Sequence, residues 1–506
     1  MRVLFIDVLR TTLDEVWPTA EHSLGLMYVS STLKKELGSS VDIRIRTLIS
    51  KPNQSEAERL AVRAMLEEWE PEVVGVRCLT IGKDSLHVVV DTVKTWNRDC
   101  FLVVGGPYAT DDPEDVLRGG NVDCVVIGEG EMTATDLVRR LLARSSFHDV
   151  AGIAYSTNGD VVRTPPRPPV LDLDSLPCPD YDLVDLDAFS NKYLTFSSKI
   201  YQPHANILTT RGCVYRCMYC HHILGKKFRA RSPENVLAEI RSLHERYGVT
   251  DFQIIDDIFN FDIDRAKRIC TLLIRSGMKL TLSFPNGVRG DIMDDELIDT
   301  MAEAGTRYMS YAVETGSPRL QKLIRKNLDL DRIFRAIEYT AKAGIVTRGF
   351  FMLGFPTETE EEALQTIEFA KASSLCGATY FTVVYFPGTE LFKLAQSLGC
   401  FRNGGYSVLR DYVQIGDGPY NFSVARLAEL KKKALREFAF TRERIENALR
   451  LLPRYFTQRE IDGFFMAYVV SSKAKLEDVQ DEVAKSILHR YFLVAERFSR
   501  VREFYV

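Results

Sequence analysis

No stretch of this chain approaches the ~20 consecutive apolar residues of a membrane-spanning helix. The longest candidate, Phe464 to Val470, has seven and fits a helix core better, so no membrane span is expected. Charge of one sign is equally scarce. The 65 Lys and Arg against 69 Asp and Glu leave a formal net charge of −4, which argues against the basic surface of a nucleic-acid-coating protein. Glycine and proline, 31 and 19 of 506 residues, are too few for a disordered or fibrous chain. Cysteine is sparse too: ten in all, with no sign of a secretory leader, since Met1 to Asp7 carries one Arg and a four-residue apolar run before an acid. A small disulfide scaffold is thereby excluded. A reducing, cytoplasmic setting is expected, where thiols serve as core residues, metal ligands or catalytic groups.

What is present is an alternation. At roughly 100 to 200 residues per domain the length allows about three domains. Runs of β-formers at 3–8, 41–47, 73–77, 101–104 and 124–127 alternate with helical patterns around 22–36, 55–69, 83–97 and 131–143, which predicts a doubly wound α/β sheet. The carboxyl ends of the strands, where such sheets bind ligands, carry Gly105-Gly106-Pro107-Tyr108 after the fourth and Gly128-Glu129-Gly130-Glu131 after the fifth. These glycines suit close approach of a ligand to the backbone, or merely tight turns. A Gly-x-Gly-x-x-Gly fingerprint is missing after the first strand, so a nicotinamide or flavin domain is not expected. Over 146–195 a short hairpin (152–155, 161–164) precedes an extended connector containing Pro165, Pro166, Pro168, Pro169, Pro177 and Pro179.

Alternation then resumes. Strands are predicted near 205–209, 251–255, 281–284, 308–312, 347–351 and 379–384, with helices at 233–247, 263–276, 294–304, 329–343 and 359–373. Six such units imply a second open sheet or a partial barrel. From 423 onward the pattern is mostly helical. Its ten Lys and Arg between 423 and 460 are half offset by five acids, as on a solvated helix face rather than a nucleic-acid patch.

The chemistry concentrates in Cys213-x-x-x-Cys217-x-x-Cys220, just past the first of these later strands. Ten cysteines scattered over the chain would rarely fall at this spacing. Three thiolates on one loop can hold three irons of a 4Fe-4S cluster and leave the fourth iron open. Structural zinc would need a fourth ligand, for which His221 and His222 are the candidates. Tyr219, directly before the last cysteine, would form an aromatic wall.

With this motif the chain resembles the radical S-adenosylmethionine (SAM) enzymes. The upstream glycine segments, the Pro-rich connector and Leu24-Gly25-Leu26-Met27-Tyr28 resemble the cobalamin-binding (B12-binding) class of that family. The resemblance implies a doubly wound, Rossmann-like cobalamin-binding domain at 1–148, a connector at 149–195, a partial (β/α)6 radical SAM barrel at 196–400, and a mainly helical C-terminal domain at 401–506 that caps the barrel. It implies cluster ligation by Cys213, Cys217 and Cys220, with SAM chelated at the open iron. Further SAM contacts implied are Tyr219, Asp256 and Asp257 (in Ile254-Ile255-Asp256-Asp257-Ile258-Phe259), Glu314 (in Val313-Glu314-Thr315-Gly316-Ser317), Arg289 and Arg348. Two adjacent acids can also simply cap a helix, and either arginine could instead form a surface salt bridge. Gly354-Phe355-Pro356-Thr357-Glu358-Thr359 and Phe386-Pro387-Gly388-Thr389-Glu390-Leu391 match late-barrel segments and are read as turns that shape the site.

For cobalamin the resemblance implies contacts from Thr11, Leu79, Thr80, Gly105, Gly106, Pro107, Tyr108, Gly128, Glu129 and Gly130. None of the eight histidines lies in an Asp-x-His-x-x-Gly motif, so no lower His ligand is expected. Arg10, Thr11, Cys78, Leu79 and Thr80 are the candidates to guard the lower face.

The activity implied is reductive cleavage of SAM to a 5′-deoxyadenosyl radical, fed by an external flavodoxin- or ferredoxin-type reductant, and methylation of an unactivated carbon of a small-molecule substrate through methylcobalamin. The same cofactors also serve non-methylating cyclisations, ring contractions and rearrangements. Methylthiotransferase relatives carry a second upstream cysteine triad, whereas Cys78, Cys100 and Cys124 lie in separate strand regions and read as core thiols. Cys376, just before the last barrel strand, is a candidate hydrogen donor or covalent anchor, but it reads more simply as a buried structural thiol.

Overall fold

A computed structural model describes residues 1–10, 23–50, 54–186, 204–220, 223–386, 388–399 and 423–502. It divides into two compact units, one of residues 1–195 with 211–214 and 222–232, the other of residues 196–210, 215–221 and 233–506.

The first unit runs β1 (Arg2–Arg10), α1 (Leu24–Leu37), β2 (Asp42–Ser50), α2 (Ser55–Trp69), β3 (Val73–Cys78), α3 (Lys83–Trp96), β4 (Phe101–Gly105), α4 (Pro107–Asp111), α5 (Pro113–Leu117), β5 (Cys124–Val126) and α6 (Glu131–Leu142), then the hairpin β6 (Ile153–Thr157) and β7 (Asp160–Arg163). Its seven strands lie in the order β2-β1-β3-β4-β5-β6-β7, the first five mutually parallel. Central strands buried on both faces need continuous apolar runs, and Val3, Leu4, Phe5 and Ile6 are all at most 5% exposed. The order reverses between β1 and β3, which makes a topological switch point at their carboxyl ends.

The hairpin pairs antiparallel with β5, so the sheet extends past residue 148, into the span 149–195 expected to be a connector. An isolated hairpin is marginal in water. Here Ile153 and Ala154 are buried, with Ile153 packed among Val126, Leu137 and Val150.

The second unit holds β8 (His204–Ile207), α7 (Pro233–Tyr247), β9 (Asp251–Ile254), α8 (Ile263–Ser276), β10 (Thr281–Val288), α9 (Asp295–Glu303), β11 (Thr306–Glu314), α10 (Pro318–Leu323), α11 (Leu330–Lys342), β12 (Val346–Leu353), α12 (Glu360–Ala372), β13 (Gly377–Thr382) and α13 (Glu390–Ser397). All six strands are parallel and adjacent in chain order, a partial (β/α)6 barrel. Six of these helices begin with a side-chain cap, from Asp262, Asp294, Ser317, Asp329, Thr359 and Thr389, which satisfies otherwise orphaned amides where strand turns into helix.

Four helices follow: α14 (Val424–Ala439), α15 (Arg442–Leu451), α16 (Gln458–Ser472) and α17 (Glu482–Arg502). They dock on the barrel through Tyr468, whose hydroxyl accepts from Ala378 N at 2.7 Å, and through Arg444, which donates to the carbonyls of Leu375, Ala370 and Lys371. The fold is therefore α/β, with a doubly wound sheet, a partial barrel and a helical C-terminal region, as the sequence predicts.

Candidate active site

The carboxyl end of β8 leads into the cysteine loop and is fixed by Asp256, which follows β9. One oxygen of Asp256 accepts from Thr209 N at 2.5 Å and Thr210 N at 3.1 Å, and the other from Thr209 Oγ1 at 2.5 Å. Burial raises the pKa of this 3% exposed carboxyl. With both oxygens engaged by the strand end, Asp256 positions the start of the loop. Its neighbour Asp257 is exposed.

The first part of the loop belongs to the first unit. Gly212 has φ +82°, and a Cβ there would lie 2.4 Å from Lys227 O and 3.0 Å from Leu224 O, so only glycine fits. Arg211 donates to Glu131 at 2.6 Å, lies 3.7 Å from Glu129 and stands over the Tyr28 ring at 5.0 Å. Arg229 donates to both oxygens of Glu129, at 2.5 and 3.0 Å, and to Val170 O at 2.7 Å. Cys213 N donates to Gly225 O at 3.3 Å.

The second part belongs to the second unit and is held differently. Met218 N donates to Ile324 O, and Leu391 N to Met218 O, both at 2.9 Å. Met218 and Tyr219 pack on a core of Leu320, Ile324, Phe355, Val383, Tyr385 and Leu391. The Tyr219 hydroxyl donates to Glu314 Oε1 at 3.1 Å, and Lys326 Nζ donates to the same oxygen at 2.8 Å. Burial, then the Glu314 carboxylate, pushes the Tyr219 phenol well up. Glu314 ends β11 with φ +68°, a left-handed conformation uncommon for a non-glycine and concentrated at functional sites. Arg289 donates to Lys326 O at 3.1 Å, so it shares this neighbourhood. Its guanidinium is nevertheless committed to Asp291 at 3.1 Å and stacked on Tyr215 at 3.8 Å.

Arg348 stays away from this group. Its register partner on β11 is Ser310, four residues or ~13 Å of strand before Glu314. There it donates to the Tyr308 hydroxyl at 3.5 Å, beside Tyr468 of α16. Its expected role at SAM does not agree with that depth. Cys376 lies at the same amino end of the sheet, 1% exposed, its thiol pushed up by burial, against Arg444 and Phe438, as a structural thiol would be.

Cys213, Cys217 and Cys220 form no disulfide; the first two are half-buried and the third exposed. Among the described residues no three His, Cys, Asp or Glu side chains converge into a ready metal cage. The donor chemistry, three cysteine thiols in no disulfide on one short stretch of chain, fits an iron–sulfur cluster. His221 and His222 lie outside the described residues.

On the first sheet, a Cβ on Gly106 (φ +90°) would come within 2.9 Å of Arg77 Cγ, and one on Gly130 within 3.1 Å of Val29 Cγ2, while Gly128 (φ +80°) borders open space. Gly105 ends β4 and Pro107 opens α4. Leu79 and Thr80 lie half-buried directly after β3, at the switch point. At Gly106 and Gly130 the missing Cβ makes room for the chain's own side chains, whereas the open backbone at Gly128 is free for close approach of a ligand, which fits cobalamin. Two expected contacts turn inward instead. Tyr108 is 3% exposed, donates to Asp115 and packs in the core, and Glu129 is spent on Arg229 and Val170 N. Cys78 is fully buried, its thiol donating to Leu79 O. Thr11 lies outside the described residues.

Several site residues escaped the sequence reading: Arg211, Arg229, Glu131, Lys326 and Glu358. Glu358 is fully buried and accepts from Gly354 N at 2.5 Å and Phe355 N at 3.0 Å; burial pushes its carboxyl up to about 7. Arg211 and Glu131 stand inside motifs already singled out, but their pairing spans 80 residues.

Residues 207–370 match the family model of the radical SAM superfamily, and residues 12–138 that of the B12 binding domain. Over 399 residues the chain is 30% identical to an uncharacterised methyltransferase of Pyrococcus horikoshii, covering 78% of this chain and 82% of that one. It is 26% identical over 500 residues to the cytidylyl-2-hydroxyethylphosphonate methyltransferase of Streptomyces wedmorensis, covering 88% and 91% of the two chains. The fold matches the cobalamin-dependent S-adenosylmethionine radical enzyme OxsB with aqua-cobalamin bound, with a TM-score of 0.71 at 16% identity over 97% of this chain and 75% of that one. The chain belongs to the cobalamin-binding radical SAM enzymes, whose cofactors are a 4Fe-4S cluster, SAM and cobalamin.

Proposed function

We propose that this enzyme methylates an unactivated carbon of a small-molecule substrate, in the cytoplasm and with electrons from an external flavodoxin- or ferredoxin-type donor. The observation that carries the reading is a loop of three cysteines in no disulfide at the carboxyl edge of one parallel sheet and glycine-containing loops at the carboxyl edge of another, in a chain that aligns with two methyltransferases over more than four-fifths of their lengths. When bound, the cluster supplies the electron that cleaves SAM to a 5′-deoxyadenosyl radical, and cobalamin supplies the methyl group.

The chain's own residues then have definable tasks. Cys213, Cys217 and Cys220 hold the cluster. Both hydrogen bonds to Glu314 fall on Oε1, which leaves Oε2 to accept a ribose hydroxyl of SAM. Lys326 neutralises that carboxylate, and Tyr219 with the apolar core behind it screens the loop from water. Gly105, Gly106, Pro107, Gly128 and Gly130, with Leu79 and Thr80, cradle cobalamin. The helices after 423 select substrate.

Anaerobically reconstituted protein, given reductant, cobalamin and SAM, is expected to yield both 5′-deoxyadenosine and S-adenosylhomocysteine, and a substrate heavier by one CH2 group. Steady 5′-deoxyadenosine without S-adenosylhomocysteine or mass gain would instead establish the non-methylating chemistry.

A further inference from the structure

We propose that Glu131, acting through Arg211, is a positioning residue for Cys213, and that the Gly-Glu-Gly-Glu segment thereby links occupancy of the cobalamin loop to the setting of the cluster loop. The inference rests on the assignments of Cys213 to the cluster and of Gly128 and Gly130 to cobalamin made above.

The observations all lie within the first unit. Four charged side chains are buried together: those of Arg211 and Glu131 are each 5% exposed, that of Arg229 2% and that of Glu129 10%. Two cations face two carboxylates. A buried charge cannot leave its partner without a large desolvation cost, and the flat guanidinium fork fixes direction as well as distance. The two pairs therefore hold whatever they join in one arrangement.

What they join is specific. Glu129 and Glu131 flank Gly130 and follow Gly128, whose backbone borders open space at the carboxyl end of β5. One short segment thus presents its backbone toward the cobalamin side and its carboxylates to Arg211 and Arg229. Arg211 stands two residues before Cys213. The intervening Gly212 is wedged against the carbonyls of Lys227, Leu224 and Gly225. Leu224 O also accepts from Arg229 at 2.8 Å, and Gly225 O accepts from Cys213 N. No slack remains between the carboxylates and the first cysteine, so a shift of the glycine segment must reach Cys213. Coupling of this kind is reciprocal.

The test uses the full chain, anaerobically reconstituted, with and without cobalamin. SAM affinity and the SAM-induced change in the EPR spectrum of the reduced cluster are measured for wild type, Glu131→Gln and Arg211→Lys. The first variant removes the charge at nearly constant size; the second keeps the charge but loses the fork, and serves if the first does not fold. A third, Val62→Ala, loosens the fully buried core under α2 without touching the pairs. Wild type is expected to bind SAM with an affinity that depends on cobalamin. Glu131→Gln or Arg211→Lys should weaken SAM binding on the order of ten- to a hundred-fold and abolish that dependence, with iron content and circular dichroism preserved. Val62→Ala should leave both readouts as in wild type. A wild-type SAM response in the folded pair variants, or the same loss in Val62→Ala, overturns this inference alone. Failure of wild type to take up iron overturns the cysteine assignment and the inference with it.

Discussion

The two parts of the cysteine loop are held by opposite means. Before Cys213 the anchor is charge: Arg211 and Arg229 on Glu131 and Glu129, all buried. After Cys217 it is apolar packing and two backbone hydrogen bonds, with Met218 and Tyr219 seated on Phe355, Ile324 and Leu391. Buried ion pairs are poor net stabilisers but admit one geometry, whereas an apolar seat stabilises strongly and tolerates small shifts. If the loop holds a cluster as proposed above, with an exchangeable ligand at one iron, the site gains from both. One cysteine is set in direction, while the segment bearing the other two can settle.

The largest expected effect tests the charged part. Arg211→Met leaves Glu131 buried without its cation, at a cost of about 4 kcal/mol. Amide hydrogen exchange should quicken at 211–214 and 223–232 and stay slow at 215–220. Equal loosening of both parts would break the comparison. Phe355→Ala is the converse, worth about 3 kcal/mol for a fully buried ring. Exchange should then quicken at 217–220 and leave 211–214 protected.

A third, smaller effect separates the parts by pH. The folded pKa of Glu358 is raised from 4.5 to about 7 by burial, so the fold favours its neutral form. The stability this gives is complete below about pH 4.5 and is lost as pH rises through about 7. The loss should not exceed roughly 3 kcal/mol. Glu358→Gln should flatten the slope between these limits and be more stable than wild type at about pH 8. Denaturation of both proteins at about pH 5 and about pH 8 measures this; parallel pH dependence would remove Glu358 as the cause.

Much of the fold was legible because parallel strands buried on both faces need unbroken apolar runs, as at Val3–Ile6, and because the β/α alternation leaves few topologies. The cysteine loop stood out by its spacing, and Glu314 entered only through the resemblance carried by Val313-Glu314-Thr315-Gly316-Ser317. What stayed hidden was direction. Tyr108, Glu129 and Asp256 each follow a strand's carboxyl end, as ligand contacts do, yet their polar atoms are taken by Asp115, Arg229 and Thr209, which lie 7, 100 and 47 residues away. Local pattern shows that a side chain stands at an edge, not which partner across the fold claims it. Arg348 differs for another reason: it lies near the amino end of β12, where the parallel register sets it level with Ser310.

The smallest effect probes the tolerance claimed for the apolar part. Tyr219→Phe keeps the ring against Phe355, whose centroid is 6.4 Å away, and deletes only the 3.1 Å hydrogen bond to Glu314. Glu314 retains Lys326 at 2.8 Å, so the carboxylate is not left bare and the cost should be about 1 kcal/mol. Exchange at 215–220 should then match wild type, with the change confined to a modest weakening of SAM binding through a less restrained Glu314. If the phenylalanine variant loosened this segment as much as Phe355→Ala does, the hydroxyl rather than the apolar seat would be its anchor, and both parts of the loop would depend on polar geometry.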